Sequence, residues 1–182
     1  MSYTHETVTL TRDVIGVLIP AGTRVELPEG ADATITQALG GSYTLEVQGH
    51  LFRLDGKDAD AIGKTPDSAP TLAEGAGEEE VAAAIRAQLE TVYDPEIPIN
   101  IVELGLIYDC RLEPTDDHGW NLKVEMTLTA PGCGMGDILV ADVKTKVQQV
   151  PTLRSAEVEL VFDPPWTKDM MSDAAKLQAG FL

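Results

Sequence analysis

The sequence predicts an α+β protein in which a small all-β N-terminal domain precedes a small mixed-sheet domain of element order α-β-β-α-β-α. Residues 1–63 contain short stretches of strand-forming residues, separated by glycine and proline turns. Residues 64–77 are rich in proline, glycine, alanine and acidic side chains, as flexible connections are. From residue 78 onward, helical and strand periodicities alternate. We therefore expect domains at 1–63 and 78–182, joined by a linker at 64–77.

The N-terminal domain has the spacing of a small barrel or meander. Gly40-Gly41 and Gln48-Gly49 are suited to hairpin turns between its strands. The acidic stretch Asp55–Asp60 lacks the terminal glutamate and the oxygen spacing of a calcium loop, so we expect a solvated turn there. The expected strands are 7–10, 14–19, 23–27, 34–39, 43–48 and 51–54.

The C-terminal domain opens with a helix that ends before Asp94-Pro95, and three acidic residues, Glu78–Glu80, suit its positive end. A strand over 104–112 follows. Its apolar set includes Cys110, so we expect that cysteine to be buried and inert. The apolar face of the helix is formed by Val81, Ile85, Leu89 and Val92.

A second strand, over 122–129, alternates an apolar face with a polar face that includes Thr127 and Thr129. A helix is expected from about Asp137 to before Pro151, followed by a strand over 154–162. The last helix is expected from about 167 to 177. Its apolar stripe would consist of Met170, Met171, Ala174 and Leu177.

Composition excludes several classes of protein. Thirteen basic and 30 acidic residues among 182 give a net charge of −17, which repels phosphate backbones and anionic lipids, so we expect no nucleic-acid or membrane partner. No apolar run approaches the roughly 20 residues that span a bilayer. The first residues lack the features of a signal peptide, and we expect a cytoplasmic protein with two free thiols, Cys110 and Cys133.

Cys133 lies in a glycine-rich loop between a strand and a helix. Unpaired amides and the positive end of a helix dipole stabilise a thiolate at such a place. Gly132 and Gly134 bring bare backbone close to the sulfur and leave room for a bulky ligand. Asp137 competes for the same amides. The pattern favours a functional thiol over a small buried cysteine in a tight turn.

Several motifs resemble the metal-sulfur cluster assembly (PaaD-like) family. They are the acidic opening motif 94–98 with the stretch 101–109, the cysteine motif 126–133, and the closing motif 163–171. Residues 35–43 and 55–59 resemble the extension of the SufT branch of that family. Many members have proline directly after the cysteine, where this chain has Gly134.

The resemblance implies an auxiliary role in iron-sulfur cluster maturation, with Cys133 as the functional cysteine and as a transient metal ligand. Asp94 and Glu96 match the acidic motif; Asp94 also suits a turn before proline, and Glu96 could face the thiol. Thr127 and Thr129 either line the site or meet solvent. No catalytic residue is assigned.

One accessible thiol is too few to hold a cluster permanently, because clusters commonly take several thiolates. A cluster shared across a homodimer, a transient cluster completed by a client or a small thiol, and a role in protein contacts alone all stay open. The second and third are favoured. The expected partners are iron-sulfur assembly proteins and apo-protein clients.

Two other classes of function are compatible with the residues. A cysteine-dependent enzyme would use the thiolate in covalent catalysis, although no convincing base is visible. An acidic scaffold would recruit proteins without thiol chemistry.

Overall fold

The computed structural model describes residues 5–73, 75–94, 96–130 and 136–181. These residues combine two β-sheets with a few short helices, so the predicted α+β class is confirmed. The chain divides into two compact units, Met1–Ser68 and Ala69–Leu182. No helix within the described ranges is long and apolar enough to cross a membrane.

The first unit contains β1 (Glu6–Thr9), β2 (Val14–Ile19), β3 (Arg24–Leu27), β4 (Asp32–Leu39), β5 (Ser42–Val47) and β6 (His50–Asp55). They form one antiparallel sheet in the order β1-β4-β5-β6-β2-β3. Ile35, Leu45 and Leu54 are at most 1% exposed, so alternate residues of the strands fill the core. Gly40 and Gly41 have φ angles of 59° and 69°, which the tight hairpin between β4 and β5 requires.

The acidic stretch after β6 differs from the expected solvated turn. Residues Gly56–Ile62 form a 3₁₀ helix, which Asp55 caps by accepting a hydrogen bond from the Lys57 amide at 3.1 Å. Arg12 binds Asp58 at 2.9 Å and Asp60 at 2.7 Å, and this hydrogen bonding lowers the pKa of the Asp60 carboxyl. Ala59 and Ala61 of this stretch are buried, and the Arg12 guanidinium offsets the charge of the acidic residues that alternate with them.

The second unit contains α1 (Glu78–Leu89), β7 (Ile107–Pro114), β8 (Trp120–Met126), α2 (Gly136–Val147), β9 (Leu153–Leu160), a 3₁₀ helix (Lys168–Met170) and α3 (Asp173–Gln178). The central strand β8 pairs antiparallel with β7 and parallel with β9, so the sheet is mixed. Helices α1 and α2 pack against one face of this sheet. The core includes Val81, Ile85, Leu89, Leu122, Val124, Met126, Leu139, Val143 and Val147.

The last helix is shorter than the sequence predicts. Ser172 starts α3, because its Oγ accepts a hydrogen bond from the Ala175 amide at 3.1 Å. Met171 has an extended backbone just before this cap, so α3 does not continue a helical repeat from Met170 and Met171; Ala175 is buried and Leu177 is 67% exposed. The predicted stripe through Ala174 and Leu177 is therefore wrong.

The described residues of 64–77 contain neither helix nor strand. Leu72 is nevertheless half-buried and Ala76 is 8% exposed, and both pack against the core of the second unit. The last part of this segment therefore belongs to that core.

Candidate functional site

The candidate site lies where β8 and β9 end. Because the two strands are parallel, their carboxyl ends share one edge of the sheet, and the Val161 amide donates to the Met126 carbonyl at 2.8 Å. The chain continues from β8 through Ala130. The segment 131–135, with the predicted site residues Gly132, Cys133 and Gly134, lies outside the described residues.

The chain is described again from Gly136, where α2 begins directly against the ends of both strands. A Cβ atom added at Gly136 would lie 2.8 Å from Leu128 Cδ1 and 3.5 Å from Leu160 Cδ1. Glycine permits this approach because it has no side chain. The residues on either side of segment 131–135 are thus held at the same corner of the sheet.

Thr127 does not continue the alternation of β8. It is 1% exposed, and its amide donates to the Leu106 carbonyl at 2.8 Å. Leu128 is also buried, so burial no longer alternates beyond the end of β8 at Met126. The alternative in which Thr127 meets solvent is therefore wrong.

Asp94 of the acidic opening motif and Thr129 of the cysteine motif are brought together. Asp94 is 7% exposed, and its Oδ1 accepts hydrogen bonds from the amides of Glu96 and Ile97, each at 2.9 Å. These bonds form the turn that Asp94, as an aspartate before proline, is expected to organise. Its Oδ2 accepts a hydrogen bond from Thr129 Oγ1 at 3.4 Å. Glu96 lies on the surface beside this turn.

Cys110 lies on β7, opposite Val124 and on the helix-covered face. It is exposed rather than buried, because β7 is an edge strand with no further strand beside it in the part of the chain that the structure describes. The expectation of a buried cysteine is therefore wrong, although its face was predicted correctly. Partial desolvation, and secondarily the Asp109 carboxylate, raises the pKa of the thiol, which disfavours the reactive thiolate.

The closing motif supports the stretch between α1 and β7. Trp166 Nε1 donates to the Leu104 carbonyl at 2.8 Å, which agrees with a packing role for this tryptophan. Ser172 Oγ donates to the Glu103 carboxylate, and the Ser172 amide donates to the Glu103 carbonyl at 2.9 Å. Neither Glu103 nor Ser172 was predicted from the sequence to belong to the site. The helix-capping pattern Ser172-Asp173 was the available signal for the second of them.

Within the described ranges, no group of three or more histidine, cysteine, aspartate or glutamate side chains is arranged to hold a metal ion. The chemistry visible there is hydrogen bonding. Asp94 and Thr129 fix the end of the strand that leads to Cys133.

Comparison with known proteins places this arrangement in a family. The sequence profile described as iron-sulfur cluster assembly protein matches residues 82–160. An Fe-S protein maturation auxiliary factor of Porphyromonas gingivalis is 47% identical over 94 residues, covering 52% of this chain and 86% of that protein. The Fe-S protein maturation auxiliary factor SufT of Staphylococcus aureus is 47% identical over 89 residues, covering 49% of this chain and 97% of that protein.

A crystal structure of a domain of unknown function from Bacillus anthracis is also similar. Its identity is 38% and its TM-score 0.50, with 57% of this chain and 95% of that chain covered. The chain belongs to the iron-sulfur cluster assembly protein family, as its motifs predict.

Proposed function

We propose that this protein is an auxiliary factor in iron-sulfur cluster maturation, an adaptor or transient carrier that helps deliver clusters to apo-proteins through Cys133. The observation that carries the proposal is the hydrogen bond between Thr129 and Asp94. It joins the acidic motif to the strand end that leads to Cys133, two parts of one family pattern. The names of the two maturation factors similar to this chain support the same role.

The cluster is cargo in this proposal. Cys133 supplies one thiolate to iron, and the other ligands come from a client, a partner or a small thiol, since clusters commonly take several thiolates. Gly132 and Gly134 have no side chains and would therefore leave space beside the sulfur. The exposed Glu96 and the partly exposed Thr129 form the polar surface on which the cluster or partner is received, and the buried Asp94 and Thr127 support it from below.

The partners are iron-sulfur assembly proteins and apo-protein clients, and the compartment is the cytoplasm, where thiols stay reduced. The proposal assigns this role to the C-terminal domain, which the sequence predicts at 78–182, after a separate all-β domain at 1–63. Within the predicted linker 64–77, Leu72 and Ala76 pack against the core of the second unit, so the domain begins before residue 78. The family match at 82–160 lies within this domain.

Replacement of each cysteine in the full chain tests the thiol. After anaerobic reconstitution with iron and sulfide, the Cys133→Ser variant should bind less iron and sulfide than the wild type and should transfer less cluster to apo-ferredoxin. The matched Cys110→Ser variant should behave like the wild type, because that thiol has a raised pKa and lies on β7. Circular dichroism checks that both variants are folded.

Equal reconstitution and transfer by the wild type and a folded Cys133→Ser variant would contradict the proposal. A loss of cluster binding and transfer in Cys110→Ser alone would show that the functional thiol is Cys110 on β7, and would also contradict the proposal.

A further inference from the structure

The two edges of the sheet in the second unit differ in whether they can accept another strand. At one edge, the register of β7 against β8 shifts between Ile107 and Asp109, and Pro114 ends the strand. The Cys110 amide donates to the side chain of Asp109 at 3.0 Å. A bulge, a proline and an occupied amide are features that prevent strand addition, so this edge is protected.

The opposite edge, β9, has none of these protections. Its eight residues contain no proline, and its register with β8 runs without interruption from Ser155 to Leu160. Among the described residues, its backbone amides bond only to β8, apart from a turn bond from Leu153 to the Val150 carbonyl at 3.1 Å. The remaining backbone groups of this strand face outward, as a template for an added strand.

The two faces of β9 determine which side chains an added strand would need. On the helix-covered face, Val158 and Leu160 are only partly buried against the core. On the open face, Glu157 is exposed, and Glu159 lies in a cross-strand row with Glu125 and Asp109. Lys123 contacts Glu159 at 3.4 Å and Glu125 at 3.9 Å. Arg111 pairs with Asp109, and Lys123, which lies opposite Glu157, is left with three carboxylates, those of Glu125, Glu157 and Glu159, so the edge keeps an excess of negative charge.

We propose that the free edge of β9 binds an extended segment of a partner protein in which basic and aliphatic residues alternate. The segment pairs with the outward backbone groups of β9, as in strand addition to other sheets. Its basic side chains lie beside Glu157 and Glu159, and its aliphatic side chains extend the surface of Val158 and Leu160. A second copy of this chain is a poor occupant, because its own Glu157 and Glu159 would face those of the first.

A synthetic octapeptide of alternating lysine and valine, capped at both ends, probes this edge on the full chain. It should slow amide hydrogen exchange in β9, whereas exchange in β7 should not change. The matched peptide of alternating glutamate and valine should give no protection. The double variant Glu157→Lys/Glu159→Lys should weaken binding of the lysine peptide roughly tenfold or more, because like charges then lie opposite one another.

The control double variant is Glu113→Lys/Asp116→Lys, which makes the same change of net charge near the protected edge and should bind as the wild type does. Four results would overturn the proposal. They are no protection of β9 by the lysine peptide, protection of β7, equal weakening in both double variants, and protection of β9 in the free protein that rises with protein concentration. The last would show that a second copy occupies the edge.

Discussion

At the scale of single residues, Asp94 holds the described part of the site together. It fixes its own turn through two amides and reaches Thr129, 35 residues further along the chain. We expect Asp94→Ala to lower the free energy of unfolding by about 2–4 kcal/mol, since hydrogen bonds to charged groups contribute about 1.5–3 kcal/mol each and are not additive. Urea denaturation measures this loss.

The matched change is Thr129→Val, which removes only the 3.4 Å bond and keeps the volume of the side chain. Its loss should be below about 1 kcal/mol. Losses of equal size in the two variants would show that Asp94 stabilises the fold through Thr129 and not through its turn.

The exposed thiol of Cys110 gives a prediction that depends on pH. A raised pKa keeps a thiol protonated to higher pH, and only the thiolate attacks iodoacetamide. In the Cys133→Ser variant, alkylation of Cys110 at pH 7 should therefore be slower than that of a cysteine in a short peptide. Its rate should reach a plateau at a higher pH than the peptide's, and coincident pH profiles would contradict the shift.

At the scale of elements, periodicity predicted which residues of the central strand β8 are buried, and it failed beyond the end of that strand and on the edge strand β7. Leu122, Val124 and Met126 are buried as the alternation of β8 indicates, because a half-covered sheet repeats every two residues. The pattern fails at Thr127, where pairing has ended, and at Cys110, whose strand has no outer neighbour. In both cases burial depends on which other elements lie beside the residue in the fold. A local sequence pattern carries no information about those neighbours.

The candidate site was also predictable only in part. The turn at Asp94 was predictable, because aspartate before proline bonds to the amides that follow it. Its contact with Thr129 was not predictable from spacing, since it depends on how the stretch between α1 and β7 packs against the end of β8. Family motifs indicated both residues without saying that they touch.

That stretch also depends on a glycine. Gly105 has φ of +70°, and a Cβ atom there would lie 2.2 Å from the Met170 carbonyl oxygen. Gly105→Ala should destabilise the protein by more than about 3 kcal/mol, because the left-handed conformation disfavours alanine by roughly 1–2 kcal/mol and a backbone overlap is added to it. The control is Gly180→Ala, with φ of +78° and no atom within 4 Å. Similar denaturation midpoints for the two variants would contradict the close contact.

At the scale of the whole molecule, most of the acidic excess lies in the second unit, which also contains the family match. A negative surface accelerates encounters with basic partners and makes them sensitive to salt. In the proposed complex, a partner attracted by this charge would then bind specifically through backbone pairing with β9. The two proposals thus give separate roles to the thiol, which would bind the cluster, and to the edge strand, which would bind the partner.

Packing against the core also determines where the second unit begins. The sequence predicts a domain from residue 78, but Leu72 and Ala76 pack against its core. A fragment 69–182 should therefore be more stable than a fragment 78–182 by about 1–2 kcal/mol, since burial of one aliphatic side chain contributes about 1.5–3 kcal/mol and Leu72 is only half-buried. Urea denaturation of both fragments measures the difference. Equal stabilities would place the boundary at residue 78, and a fragment 69–182 that fails to fold would show that the unit needs residues before it.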